Sequence, residues 1–183
     1  MEEGQLIQLV KENDENAFEQ LIEKYKPIVE RFAFQFGVSP EYIPDIVQET
    51  FIKVYRKLHQ YNSGRLSTWI YRITLNTARD HFRKQQKDKK VLHKATEIQK
   101  MQHSYGYYFE KEEHVIIHEC LQDMDQKYRS PLILFYFHDK TYDDIGKILR
   151  LKTSVVKTRI HRAKKHLKKA YEKMEVQEVL LHG

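Results

Sequence analysis

No stretch of this 183-residue chain sustains a period-two alternation of apolar and polar residues, and apolar residues recur at spacings of three and four almost throughout. Only six Gly and four Pro interrupt that rhythm. The chain therefore reads as all-α, with helices expected near 3–12, 14–36, 44–58, 67–86, 113–124, 126–138, 142–149 and 154–175. Pro40 and Pro44 separate the second and third of these, Pro44 suiting the first turn of a helix because its missing N–H needs no partner there. Asn62-Ser63-Gly64 is a turn signal before the fourth. From about Gln85 to Glu112 the apolar pattern lapses. Two small helical domains joined by a flexible linker are expected, with boundaries at 1–86, 87–112 for the linker, 113–175, and a C-terminal tail over 176–183. A linker of this length spans at most roughly 90 Å fully extended.

Charge divides the chain the same way. Acids dominate residues 1–60 and 95–144, and Lys and Arg dominate 61–94 and 145–183. Each acidic block is followed by a basic one, which suggests two modules that each turn a face to a polyanion. The single cysteine, Cys120, excludes an intramolecular disulfide framework. No apolar run reaches the roughly 18 residues of a membrane span, and Met1-Glu2-Glu3-Gly4 lacks the basic start of a secretory signal. A cytoplasmic protein with no membrane insertion is expected.

The stretch LKTSVVKTRIHRAKKHLKKA (151–170) is rich in Lys and Arg and contains no acid. Wound as a helix, Val156, Ile160, Ala163, Leu167 and Ala170 form one apolar stripe. Lys157, Thr158, His161, Arg162 and Lys165 share another face, with Arg159, Lys164 and Lys168 at the edges. Alone, this is as consistent with a solvated surface helix as with an anion-binding one. Upstream, Leu132, Ile133, Phe135 and Tyr136 are expected to supply a buried helix. Thr141 is placed to cap the next helix, with Asp144 three residues on, and Ile145, Ile148 and Leu149 form its apolar face. Gly146 permits close approach of a neighbouring helix, and Thr153 or Ser154 can cap the basic helix. The pattern is helix–turn–helix, whose second helix enters the major groove of DNA. Lys157, Thr158, His161 and Arg162 then meet base edges, and flanking cations such as Arg159 and Lys165 meet phosphates.

The strings YRSPLILFYFHDKTYDDIGKIL and VVKTRIHRAKKHL resemble region 4 of an extracytoplasmic-function (ECF) sigma factor of the sigma-70 family. Family members commonly have Gly where Arg150 stands and a Pro-Val-Gly-Thr-like segment in place of Lys152-Thr153-Ser154-Val155. Arg150 in a left-handed turn would cost about 1 kcal/mol. In DIVQETFIKVYRKL (45–58), Val47, Phe51, Val54, Tyr55 and Leu58 fall on a core face and Asp45, Gln48, Glu49 and Ile52 on another. An acidic face of this kind is usually only solvated. The string nevertheless resembles region 2.2, which implies that Asp45, Gln48 and Glu49 dock on the β′ clamp helices of RNA polymerase.

In YNSGRLSTWIYRITLNTARDHFRK (61–84), Leu66, Trp69, Ile70, Ile73 and Thr77 cluster on one helical side, with Trp69 as a core anchor. Arg72, Asn76, Arg79 and Arg83 recur at four, three and four. Three guanidiniums without an acid among them repel one another unless an anion intervenes. The segment resembles regions 2.3 and 2.4, which implies opening and reading of the −10 promoter element. On that resemblance Tyr61, Asn62, Ser63 and Arg65 line a pocket for an extruded base, with Tyr61 as stacking platform and Asn76 reading a base edge. The family implies core RNA polymerase (β′ clamp helices and β flap), promoter DNA and an anti-sigma factor as partners.

No catalytic constellation is evident, so no enzyme activity and no cofactor are expected. The ten His are scattered; His114 and His118 share a helical face, but HVIIH offers no third ligand, and no metal site is expected. Two other readings stand beside the sigma factor. One is a stand-alone helix–turn–helix regulator; the other is a sigma-like decoy that docks without supporting initiation.

Overall fold

The computed structural model describes the backbone of residues 2–89 and 112–182, and the side chains of 2–85 and 117–173. Those residues contain no strand and divide into two compact units. Most of the expected linker, residues 90–111, lies outside the described residues.

The first unit carries α1 (Glu3–Lys11), α2 (Glu15–Phe36), α3 (Ile43–Lys57) and α4 (Leu66–Lys89). Short 3-10 turns occupy Pro40–Tyr42 and Leu58–Gln60. Asp14 begins α2 by accepting a hydrogen bond from the Ala17 N–H at 2.9 Å, which satisfies one of the helix's orphan donors. Pro44 sits in the first turn of α3, as expected. Leu21, Val29 and Phe32 of α2, Ile43, Ile46 and Val54 of α3, and Leu66, Ile70 and Ala78 of α4 fill the core. Phe32 meets Tyr71 edge to face at 5.2 Å. Tyr55, expected in this core, is 44% exposed. Its ring tilts against Phe18 at 4.9 Å and its hydroxyl donates to Asn13 Oδ1 at 3.4 Å, so the phenol's polar end is kept toward water.

The second unit carries α5 (Glu112–Gln122), α6 (Gln126–Tyr136), α7 (Tyr142–Leu149) and α8 (Thr153–His182). Its core is Leu121, Leu132, Ile133, Ile145, Ile148, Val156, Ile160 and Ala163. Asp125 caps α6 through the Lys127 N–H at 2.9 Å. Thr141 caps α7 reciprocally: its Oγ1 accepts from the Asp144 N–H (3.1 Å) and donates to Asp144 Oδ2 (2.7 Å). Phe135 and Tyr136 differ from expectation. Phe135 is half-buried and Tyr136, the last residue of α6, is 48% exposed. No helix among the described residues is long and apolar enough to cross a membrane.

Candidate nucleic-acid interface

The connection between α7 and α8 is a tight turn closed by backbone. Arg150 adopts φ 56°, ψ 50°, the left-handed conformation expected of it, and the Leu151 N–H reaches back to the Gly146 carbonyl at 2.9 Å. Glycine at 146 is required by this turn rather than by a neighbouring helix, since a Cβ there would lie 2.8 Å from the Leu151 carbonyl oxygen. Thr153 is the first residue of α8, not its cap, and its hydroxyl donates to Asp143 Oδ1 at 2.8 Å, tying the two helices across the turn.

That turn fixes which face of α8 is inward. Val156, Ile160 and Ala163 are buried, and Lys157, Thr158, His161, Arg162 and Lys165 are exposed. Arg159 is half-buried at the edge. None of these Lys and Arg side chains forms an ion pair among the described residues. Thr158 spends its hydroxyl proton on the Ser154 carbonyl (3.0 Å), leaving its oxygen lone pairs outward. Lys157 Nζ lies 5.5 Å from the centre of the Tyr142 ring, and that ring stacks on Phe135 at 4.9 Å and 5°. A shallow depression of about 330 Å³ beside this face is lined by Lys127, Tyr128, Ser154, Thr158, Arg159 and Arg162. A convex helix face of unpaired donors beside a basic depression suits a polyanion with a groove.

The second basic surface is on α4. Asn76 and Arg83 are exposed, and Arg72 and Arg79 half-buried. Burial lowers the pKa of Arg79, and the neighbouring Arg83 charge lowers it further. The stripe is not free of acid, as its spacing suggested. Asp80 Oδ1 accepts from Arg83 at 2.5 Å, and Asp80 Oδ2 lies 3.7 Å from Lys53 of α3. The pairing was hidden because Asp80 lies at i−3 from Arg83, beside the four-three-four register rather than in it.

At the loop before α4, the Tyr61 hydroxyl donates to the Gly64 carbonyl at 2.5 Å. Gly64 has φ 101°, which a side chain would strain. Asn62, Ser63 and Arg65 are exposed. Trp69 is half-buried rather than a core anchor; its ring tilts against Tyr61 at 5.6 Å, so the two aromatics make a partly open platform under the loop.

Asp45, Gln48 and Glu49 are all exposed on α3. With Lys53, Asp80 and His81 they line a groove of about 890 Å³ between α3 and α4. Sequence reasoning missed Lys53, Asp80 and His81, which reach the groove only when the two helices pack. Burial pulls the His81 pKa down against the opposing pull of Asp45, and its ring tilts against Tyr42 at 4.8 Å. Ile52, 36% exposed, and Tyr55 border a more apolar groove of about 520 Å³ between α2 and α3. No group of three or more His, Cys, Asp or Glu among the described residues is arranged to hold a metal ion.

Two family models match the chain, sigma-70 region 2 over residues 21–88 and sigma-70 region 4 over residues 114–167. The chain is 28% identical over 175 residues to the ECF RNA polymerase sigma factor SigW of Bacillus subtilis, spanning 89% of this chain and 93% of that protein. It is 27% identical over 182 residues to the RNA polymerase sigma-H factor of Pseudomonas aeruginosa, spanning 93% and 94%. The chain belongs to the ECF sigma factors of the sigma-70 family. Sigma factors of this family are non-catalytic initiators of transcription. Among solved structures, the sigma factor RpoE of Bartonella quintana, in complex with the anti-sigma factor NepR, shares the fold. Its TM-score is 0.69 at 21% identity, over 85% of this chain and 96% of that one. In this sigma factor the α4 surface therefore falls within region 2, and the α7–α8 turn within region 4.

Proposed function

We propose that this sigma factor docks on core RNA polymerase through Asp45, Gln48 and Glu49, opens the −10 element with α4 and its preceding loop, and reads the −35 duplex with α8. The observation that carries the reading is the α8 face, whose exposed Lys157, Arg162 and Lys165 form no ion pair among the described residues, on the second helix of a closed helix–turn–helix. Lys157, Thr158, His161 and Arg162 supply donors and acceptors for base edges, and Arg159 and Lys165 neutralise phosphates. In region 2, Tyr61 and Trp69 provide stacking surface, Asn62, Ser63 and Arg65 surround the extruded base, and Arg72, Asn76, Arg79 and Arg83 follow the single strand. The exposed carboxylates of Asp45 and Glu49 suit a cationic partner, and the β′ clamp helices are that partner here. The apolar face beside Tyr136 and Leu167 on region 4 is assigned to the β flap.

The reading sets the docking and −10 unit at 1–86 and the −35 unit at 113–175, joined by a linker over 87–112 and followed by a tail. The protein works in the cytoplasm, has no enzymatic activity of its own, and is held inactive by an anti-sigma factor, as the NepR complex of its structural neighbour suggests. A gel shift on genomic promoter fragments tests the reading. The expected result is specific retardation only when core polymerase is added. Tight binding to a palindromic duplex without core would instead make this chain a stand-alone helix–turn–helix regulator.

A further inference from the structure

Between the proposed docking face and the proposed DNA stripe runs a continuous chain of charges. Glu49 Oε1 lies 3.3 Å from Lys53 Nζ, Lys53 Nζ lies 3.7 Å from Asp80 Oδ2 and 3.2 Å from Thr77 Oγ1, and Asp80 Oδ1 holds Arg83 at 2.5 Å. Two carboxylates thus compete for one ammonium, and one ammonium and one guanidinium compete for one carboxylate. Resting on the reading above, we infer that Lys53 and Asp80 are positioning residues that couple polymerase docking to DNA binding, by setting how tightly Asp80 restrains Arg83.

The argument follows from competition alone. When a cationic group of the polymerase takes Glu49, Lys53 loses one of its two acids and turns its charge fully on Asp80. Asp80 then satisfies less of Arg83, whose guanidinium becomes free for a phosphate. Linkage makes the effect reciprocal: a phosphate that takes Arg83 leaves Asp80 to Lys53 and releases Glu49 for the polymerase. The side chains are 26% exposed for Lys53, 52% for Glu49, 46% for Asp80 and 72% for Arg83. Water screens pairs this open, so the coupling is limited to roughly twofold to fivefold, the range that exposed ion pairs support. In the free protein Asp80 accordingly shields part of the Arg83 charge, and docking releases that part.

A double-mutant cycle on the full chain tests this, with fluorescence anisotropy of a labelled oligothymidylate as readout, because a contact to phosphate needs no promoter sequence. Glu49→Gln mimics neutralisation by polymerase. It should tighten oligothymidylate binding roughly twofold to fivefold more when Lys53 is present than in a Lys53→Met background, and that excess should return in Lys53→Arg. Removing a negative charge also acts through space, but that contribution is the same in both backgrounds. Equal effects with and without Lys53, or no effect in either, would overturn the coupling. Arg83→Ala serves as the control: weaker binding places Arg83 on the strand, whereas unchanged binding overturns the DNA assignment of Arg83 and the coupling with it.

Discussion

Replacing Arg150 by glycine should stabilise the region 4 unit, although arginine is the larger and more helix-favouring residue. At φ 56°, ψ 50° an L side chain places its Cβ against the following carbonyl, at a cost of about 1–2 kcal/mol that glycine does not bear. Against this, glycine loses more backbone entropy on folding, about 0.5–1 kcal/mol. The Arg150 side chain is exposed and makes no hydrogen bond or ion pair among the described residues, so nothing else is lost. The net expectation is a gain of about 0.5–1 kcal/mol. A gain of 1 kcal/mol corresponds to roughly 4–8 °C in the melting temperature of a unit of 60–100 residues. Thermal and urea unfolding followed by circular dichroism would read it. Arg150→Ala separates conformation from charge, because it keeps the left-handed strain while removing the guanidinium, and it should give no gain. If Arg150→Gly and Arg150→Ala behave alike, or if glycine destabilises the unit, the strain at this turn has been misjudged.

Thr141→Ala removes the hydroxyl that accepts from the Asp144 N–H and donates to its carboxylate; a loss of about 1–2 kcal/mol in urea unfolding is expected. Glu49→Lys should weaken binding to core polymerase in a titration while costing the fold less than about 1 kcal/mol, since Glu49 is exposed and only its open pair with Lys53 is lost. Arg162→Ala should cost about 1–3 kcal/mol at the −35 element if the guanidinium grips a guanine bidentately, read by promoter strength across single-base variants. His118 is buried, and desolvation together with the Arg129 charge lowers its pKa to about 4. The unfolded chain therefore binds a proton near pH 6.5 that the folded unit refuses until about pH 4. Stability is fully present above about pH 6.5 and falls by up to about 3 kcal/mol as the pH drops to 4. His118→Gln should flatten that acid limb in unfolding experiments run across the window.

What the sequence made legible was local. Thr141 with Asp144 three residues later, the apolar stripe Val156, Ile160 and Ala163, and Pro44 at a helix start are each decided within one or two turns of chain, and each was readable from spacing. The left-handed Arg150 is legible through the family resemblance instead, as the residue standing where members of the family commonly have glycine. The errors came where packing between elements decides. Tyr55 has core spacing, but its phenol keeps a wet edge beside Phe18 and Asn13. Trp69 reads as an anchor from its place on the apolar side of the helix, yet it is half-buried with its ring tilted against Tyr61. The α4 stripe lost its acid-free character because Asp80, one position outside the register, swings to Arg83 while Lys53 arrives from another helix. Gly146 was assigned to a helix contact when the Leu151 carbonyl, five residues on, was the close neighbour.

The most direct test of the account is a reconstituted run-off transcription assay, with core RNA polymerase, this chain and a library of genomic fragments. The account predicts start sites that core alone ignores, abolished by Glu49→Lys and weakened by Arg162→Ala. No new start sites, or start sites indifferent to both substitutions, would contradict it.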